Sequence, residues 1–142
     1  MSNTDTYAAT RQPSIPRTLL AVAAGLVFIF VTHLGMDVIM HATGVFPPWF
    51  QPMAGPMWLV PLGYRFVLSI GGCYLTARLA PSRPMFHALI LGAIGTVLSI
   101  VGVASVWGKG PEYGPVWYAV VLVFMSFPCA WIGGKIRESQ LR

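Results

Sequence analysis

Charge is scarce in this chain. Asp, Glu, Lys and Arg make up 9% of its 142 residues, where a soluble domain carries about 25%. A surface that poor in charge cannot all face water, which excludes a disordered chain and a soluble nucleic-acid binder. Cysteine is nearly absent as well: two thiols cannot build the disulfide framework of a small secreted domain. The usual chemical signatures are missing too. There is no Walker loop, no Gly-x-Ser-x-Gly elbow, no Cys-x-x-Cys and no His-Glu-x-x-His. The polar stretches are too short to hold a catalytic domain, so no catalytic residue and no cofactor is expected, and the chain reads as a non-enzyme. The alternation of apolar and polar residues that an outer-membrane barrel requires is also lacking.

What the chain has is hydrophobic length. With 56% apolar residues, it supplies four segments of the roughly 20 apolar residues that a helix needs to cross the hydrocarbon. They run over about 18–43, 58–80, 85–107 and 115–136, punctuated by Gly44 with Pro47-Pro48, by Pro81 to Pro84, and by Gly108 to Pro115. The expected fold is an all-α membrane protein. It is a four-helix transmembrane bundle over residues 18–136, between an N-terminal tail of 1–17 and a C-terminal tail of 137–142. The first span is too long for the apolar region of a secretory signal, and Ala21 to Gly25 comes too early to be a cleavage site.

Positive charge gives an expected orientation. Arg11, Arg17, Arg78, Arg83, Lys135, Arg137 and Arg142 fall on one side of a four-span chain, and only Lys109, with Glu112 nearby, falls on the other. By the positive-inside rule both termini and the middle loop are cytoplasmic, as in a protein of the bacterial inner membrane. Those cations, offset by Asp5 and Glu138, account for the formal net charge of +5. The basic character therefore belongs to one membrane face. The partner there is the lipid bilayer with its anionic headgroups, and no nucleic acid is needed. At the opposite face Trp49, Trp58, Trp107 and Trp117, with Tyr113 and Tyr118, form an interfacial belt. The loop from Gly44 to Pro56 carries no formal charge and is expected to fold onto the bundle, as an interfacial anchor or a lid.

Lipid tails are as apolar as leucine, so small residues and polar contacts must hold such helices together. The third span offers Ala88, Gly92, Gly95, Ser99 and Gly102 in alternating steps of four and three, the seam of a left-handed bundle. The fourth offers Ala119, Ser126, Ala130 and Gly133, and the second puts Pro61, Arg65, Ser69, Gly72 and Thr76 on one face. On the first span Ala21, Gly25, Thr32 and Gly35 form a small face, with His33, Asp37 and His41 expected on the opposite side. A helix with two such faces would touch neighbours on both, which suits a homodimer or a larger membrane complex.

Asp37 and Arg65 are the informative pair. Ionisable side chains inside a span are costly and face a partner or a cavity. The two lie at matched depth, roughly 9–10 Å from the same end at 1.5 Å per residue, on consecutive antiparallel spans. An Asp37–Arg65 ion pair is expected, flanked by His33 and His41, as an intramembrane polar core. His33/Asp37 and Asp37/His41 each have the spacing of a two-ligand metal site. The two histidines stand about 12 Å apart along the axis, so one ion cannot use both, and no metal site is expected. His87 begins the third span at the far end, where it bonds a headgroup or a neighbouring helix. The histidines of the first span are better partners for the Asp37 proton. Cys73 and Cys129 read as small packing residues.

Several segments stand out as motifs: Asp37-x-x-x-His41-Ala42-Thr43-Gly44-Val45-Phe46-Pro47-Pro48, Tyr64-Arg65, and Gly71-Gly72-Cys73-Tyr74-Leu75-Thr76-Ala77-Arg78-Leu79-Ala80-Pro81. With them go Arg83-Pro84-Met85-x-His87-Ala88-Leu89, Gly114-Pro115-x-Trp117-Tyr118 and Pro128-Cys129-Ala130-Trp131-x-Gly133-Gly134. Together they resemble a family of small, functionally uncharacterised bacterial four-span integral membrane proteins, over nearly the whole chain after residue 17. The resemblance implies the fold and the membrane location and no activity, and His33 lies outside its pattern. The small multidrug-resistance transporters share the span count, but they use a glutamate within the first span, where this chain has none. The leading expectation is a structural or accessory inner-membrane protein built around Asp37 and Arg65. A small transporter or proton-coupled carrier with Asp37 as the titrating group comes second, and a membrane redox or metal protein third.

Overall fold

The computed structural model describes residues 14–142. Four helices make up its frame: α1 (Ile15–Ala42), α2 (Leu59–Leu79), α3 (Pro84–Val106) and α4 (Val116–Ser139). A 3₁₀ turn at Gly55–Trp58 leads into α2 and another at Pro111–Tyr113 precedes α4. All four helices are long and apolar enough to cross a membrane, and no strand occurs among the described residues. The chain is an all-helical, multi-pass membrane protein. Asp5, Arg11 and most of the 1–17 tail lie outside the described residues.

The ends of the helices follow local chemistry more than hydropathy. Helix α1 starts ahead of the apolar run because Pro16 sits in its first turn, where a missing N–H costs nothing. The Ser14 carbonyl there accepts from the backbone N–H groups of Arg17 and Thr18 at 3.0 and 3.1 Å. Helix α4 extends past the apolar run to Ser139, and Lys135 and Glu138 lie 4.0 Å apart on its last turn. The outer faces are those of a lipid-facing bundle: Phe30 is 68% exposed and Phe124 74%, which no water-facing helix would repeat along its length.

Consecutive helices run antiparallel. Gly25 of α1 meets Gly72 and Thr76 of α2, and Gly92 of α3 meets Ala130 of α4. Helix α2 is central, packing on α1, α3 and α4, whereas α1 rests mainly on α2 and only lightly on α3. Both long loops therefore lie at one end of the bundle. The α2–α3 turn, the start of α1 and the end of α4 lie at the other, with Arg17, Arg78, Arg83, Lys135, Arg137 and Arg142.

The two ends are packed differently. Cys73, Ala77, Ala88, Leu91 and Ala130 form the buried core, with Val22, Leu26 and Ile29 against it, all on the half near the termini. There Thr76 donates its hydroxyl to the Ala21 carbonyl at 3.1 Å. His87, 3% exposed, donates from Nδ1 to the Arg83 carbonyl and accepts at Nε2 from the Thr18 hydroxyl, both at 3.1 Å. It bonds a neighbouring helix, one of the two roles expected of it. A methyl on Gly133 would stand 2.7 Å from the Tyr74 nitrogen and 2.8 Å from the Ile70 oxygen, so α2 and α4 touch backbone to backbone. Toward the loop end this closeness fades. A methyl on Gly95 would meet only the Ser126 side chain, at 3.5 Å, and one on Gly102 would meet nothing within 4 Å. The small-residue stripe of α3 is thus a packing seam at Gly92 and the lining of an opening at Ser99 and Gly102.

The expected two-faced α1 is corrected. Gly25 packs on Gly72, Ile29 covers Gly72, His33 reaches Ser69 and Asp37 reaches Arg65. With Ala21 bonded to Thr76, the small and the polar residues form one ridge in steps of four, all of it against α2. A methyl on Gly35 would meet nothing within 4 Å, and the Thr32 hydroxyl turns back on the Phe28 carbonyl at 2.7 Å.

Candidate functional site

The polar core joins the loop-end halves of α1 and α2. Asp37 stands five residues before the end of α1 and Arg65 six residues into α2, so the antiparallel pairing brings them level. Arg65 donates from Nη2 to Asp37 Oδ2 at 2.6 Å. Tyr64 donates its hydroxyl to the other oxygen, Oδ1. One carboxylate thus holds two adjacent residues of α2, and a slip of either helix would break both bonds. The side chains of Arg65 and Asp37 remain 25% and 20% exposed, so the cluster is not sealed.

Its surroundings are aromatic. Tyr118 of α4, buried, places its ring 6.0 Å from the Arg65 guanidinium carbon, and Trp58 packs on that ring at 4.9 Å between centroids. Gly114, at φ +89°, makes room for Trp58: a methyl there would lie 2.5 Å from its ring. Two buried polar atoms in this region have no hydrogen-bond partner among the described residues, Arg65 Nε and the Tyr118 hydroxyl. Buried donors in a native fold are nearly always satisfied, and these two are exceptions.

The two histidines of α1 diverge. His33 lies 3.4 Å from the Ser69 hydroxyl, on the inner side of the Asp37–Arg65 pair. His41 donates from Nδ1 to the Pro47 carbonyl at 2.6 Å and stacks on Trp49 at 3.7 Å between centroids. With Phe46 edge-on to the same ring and buried, the start of the uncharged loop packs on the end of α1, while Phe50 stands 83% exposed. No three His, Cys, Asp or Glu side chains come together in metal-binding fashion among the described residues. Cys73 and Cys129 are free thiols, both buried, within the packed half.

Three cavities meet at Arg65. A vestibule of about 250 Å³ at the loop end is lined by Asp37, His41, Trp49, Trp58, Glu112 and Tyr118 besides Arg65. An inner cavity of about 180 Å³ lies toward mid-bundle, lined by His33, Ser69, Ser99 and Ser126 with Cys73, Cys129 and aliphatic residues. A crevice of about 330 Å³ between α3 and α4 passes Ser99, Gly102 and Tyr118. Comparison with known families, curated proteins and solved structures finds no match for this chain.

Two members of the site were not expected from the sequence. Tyr64 could have been found: it adjoins Arg65, and neighbours on a helix differ by only 100°, so both can reach one carboxylate. Tyr118 had no such signal, since a tyrosine three residues into an apolar span reads as part of the interfacial belt. The expected packing residues divide. Gly72 and Gly92 sit in tight contacts, Gly95 in a loose one, and Ser99 and Gly102 at the openings.

Proposed function

We propose that this chain is a small, non-enzymatic protein of the bacterial inner membrane that binds a small molecule beside Arg65, the member of the Asp37–Tyr64–Arg65 cluster that lines its cavities. The observation that carries this reading is Arg65. It is anchored on Asp37, yet it lines three cavities and keeps an unpartnered buried Nε. A residue serving only to pin two helices is expected to be enclosed and satisfied by them. The family resemblance of the sequence motifs supports the bacterial membrane setting. The positive-inside rule supports an orientation with the termini and the α2–α3 turn in the cytoplasm, because the cations gather at that end. Entry of the ligand is then from the outer face, through the vestibule. The non-enzymatic part rests on the side chains that could act. Both thiols are buried, and His33 and His41 are engaged by Ser69 and Pro47 rather than poised on a nucleophile.

A structural or accessory role is the second reading, and one observation favours it. Both oxygens of Asp37 are already bonded to α2, so the helix register is locked without a ligand. The two separate on water access to Ser69. Ser69→Cys, in a background with Cys73→Ala and Cys129→Ala, is treated in right-side-out vesicles with a small, membrane-impermeant methanethiosulfonate. Ligand binding from the outer face requires labelling there, above the cysteine-free parent. No labelling from either face would leave the accessory role, and labelling from the inner face alone would reverse the orientation.

A further inference from the structure

We propose that the inner cavity takes a neutral carbonyl compound, an oxygen acceptor on a small apolar body, and that Arg65 and Ser99 donate to its oxygen. This rests on the ligand-binding reading and names the class of ligand.

Three observations lead there. The first is the donor balance. His33, Arg65, Ser69, Ser99 and Ser126 are the polar residues of the lining besides the two thiols, and no carboxylate is among them. The hydroxyls are not equivalent. Thr96, Ser105 and Ser126 turn theirs back on the carbonyl four residues earlier, at 2.9, 2.8 and 3.1 Å. Ser99 makes no such bond among the described residues and lines both the inner cavity and the crevice. Arg65, whose guanidinium can only donate, lines the cavity together with that free hydroxyl, so the wall favours a guest that accepts.

The second is charge. Asp37 and Arg65 already cancel, so an anionic or cationic guest would leave one charge unbalanced inside the membrane, at a cost of a few kcal/mol. A neutral oxygen satisfies the donors without that cost. The third is the remainder of the wall, which is aliphatic: Leu26, Ile29, Leu91, Leu98, Leu122 and Met125. A volume of about 180 Å³ is that of roughly six waters at ~30 Å³ each, which suits a guest of about six to eight non-hydrogen atoms.

The test uses the full chain purified in mild detergent and ligand-observed NMR with four probes of similar size. These are cyclohexanone, cyclopentanecarboxylate, cyclohexylammonium and cyclohexane. Cyclohexanone should bind at least tenfold more tightly than the other three. Ser99→Ala should weaken it about fivefold, the worth of one ordinary hydrogen bond, without changing the weak binding of cyclohexane. Gly95→Leu should abolish binding by filling the cavity. If that variant does not fold, the probe series and Ser99→Ala still decide. Preference for the carboxylate or the ammonium, equal binding of cyclohexane and cyclohexanone, or binding of none of the four would each overturn the proposal. A reactive Ser69→Cys together with any of those results would leave the ligand-binding reading standing with another class of ligand.

Discussion

Replacing Asp37 by Asn keeps the size of the side chain and removes one of two opposed charges. Arg65 then stays charged about 9 Å inside its span at 1.5 Å per residue, with an uncharged amide for a partner. Stranding one member of a buried ion pair costs about 3–5 kcal/mol, and a lone cation at a helix centre costs about 2.5–3.5 kcal/mol on insertion scales. The side chains here are 25% and 20% exposed and stand nearer the end of the span than its middle. We therefore expect Asp37→Asn to lose about 2 kcal/mol. Arg65→Gln should lose somewhat less, about 1.5 kcal/mol, because Tyr64 still donates to the stranded carboxylate. The double variant leaves an amide pair and no charge, and should lose only about 1 kcal/mol. The shortfall from additivity, about 2 kcal/mol or more, is the coupling between the two side chains. Equilibrium unfolding in mixed SDS and non-ionic detergent measures all three. Loss in the double variant equal to the sum of the singles, within about 0.5 kcal/mol, would refute the pair.

Other expectations concern packing. Gly92→Ala sets a methyl 2.6 Å from the Ala130 Cβ and should lose about 1–3 kcal/mol by overpacking. Gly102→Ala meets nothing within 4 Å and should be neutral or up to about 1 kcal/mol more stable from helix propensity; the same unfolding assay compares them. Gly114→Ala combines a backbone at φ +89° with a clash on Trp58. It should flatten the near-ultraviolet dichroism of the Trp58–Tyr118 pair and lower stability by about 1–2 kcal/mol. His87→Phe keeps a ring and loses the bonds to Thr18 and Arg83, at about 1–2 kcal/mol. Adding Thr18→Val to it should cost almost nothing more, since the shared bond is already gone.

The spans were legible because hydrophobic length is the one signal a membrane protein cannot hide. The Asp37–Arg65 pair was legible for a related reason: two opposite charges at one depth on adjacent helices have few other places to go. The face of α1 was not legible. Steps of seven relate Gly25 to Thr32 and suggest one face, whereas the helix packs along steps of four from Ala21 through Gly25, Ile29 and His33 to Asp37. Which ridge a helix uses depends on the angle of its neighbour, and that angle is a property of the pair. Tyr118 was obscured by its residue type, because a ring with a polar edge is equally at home in an interfacial belt and beside a guanidinium.

The α3 stripe shows why a small residue marks a close approach without saying what approaches. Gly92 is small because Ala130 is there, and Gly102 is equally small with nothing within 4 Å. Between them, over ten residues of one helix, α3 and α4 pass from contact to a crevice. The side chains at the loop end differ in size. Tyr118 is bulky and buried there, on the helix whose other half offers Ala130 and Gly133 to its neighbours, and it stands against Arg65 and Trp58. Large rings stand at one end and glycines at the other, and two of the cavities that Arg65 lines open at the end with the rings. The polar pair then has a second consequence besides register. By tying α1 to α2 at the loop end, beyond the close contact of Gly25 with Gly72, it holds the wall of the vestibule in place. Loss of the pair should therefore loosen the loop end first, and hydrogen exchange in Asp37→Asn should rise around Met40 and Tyr64 before it rises at Thr76 or Ala88.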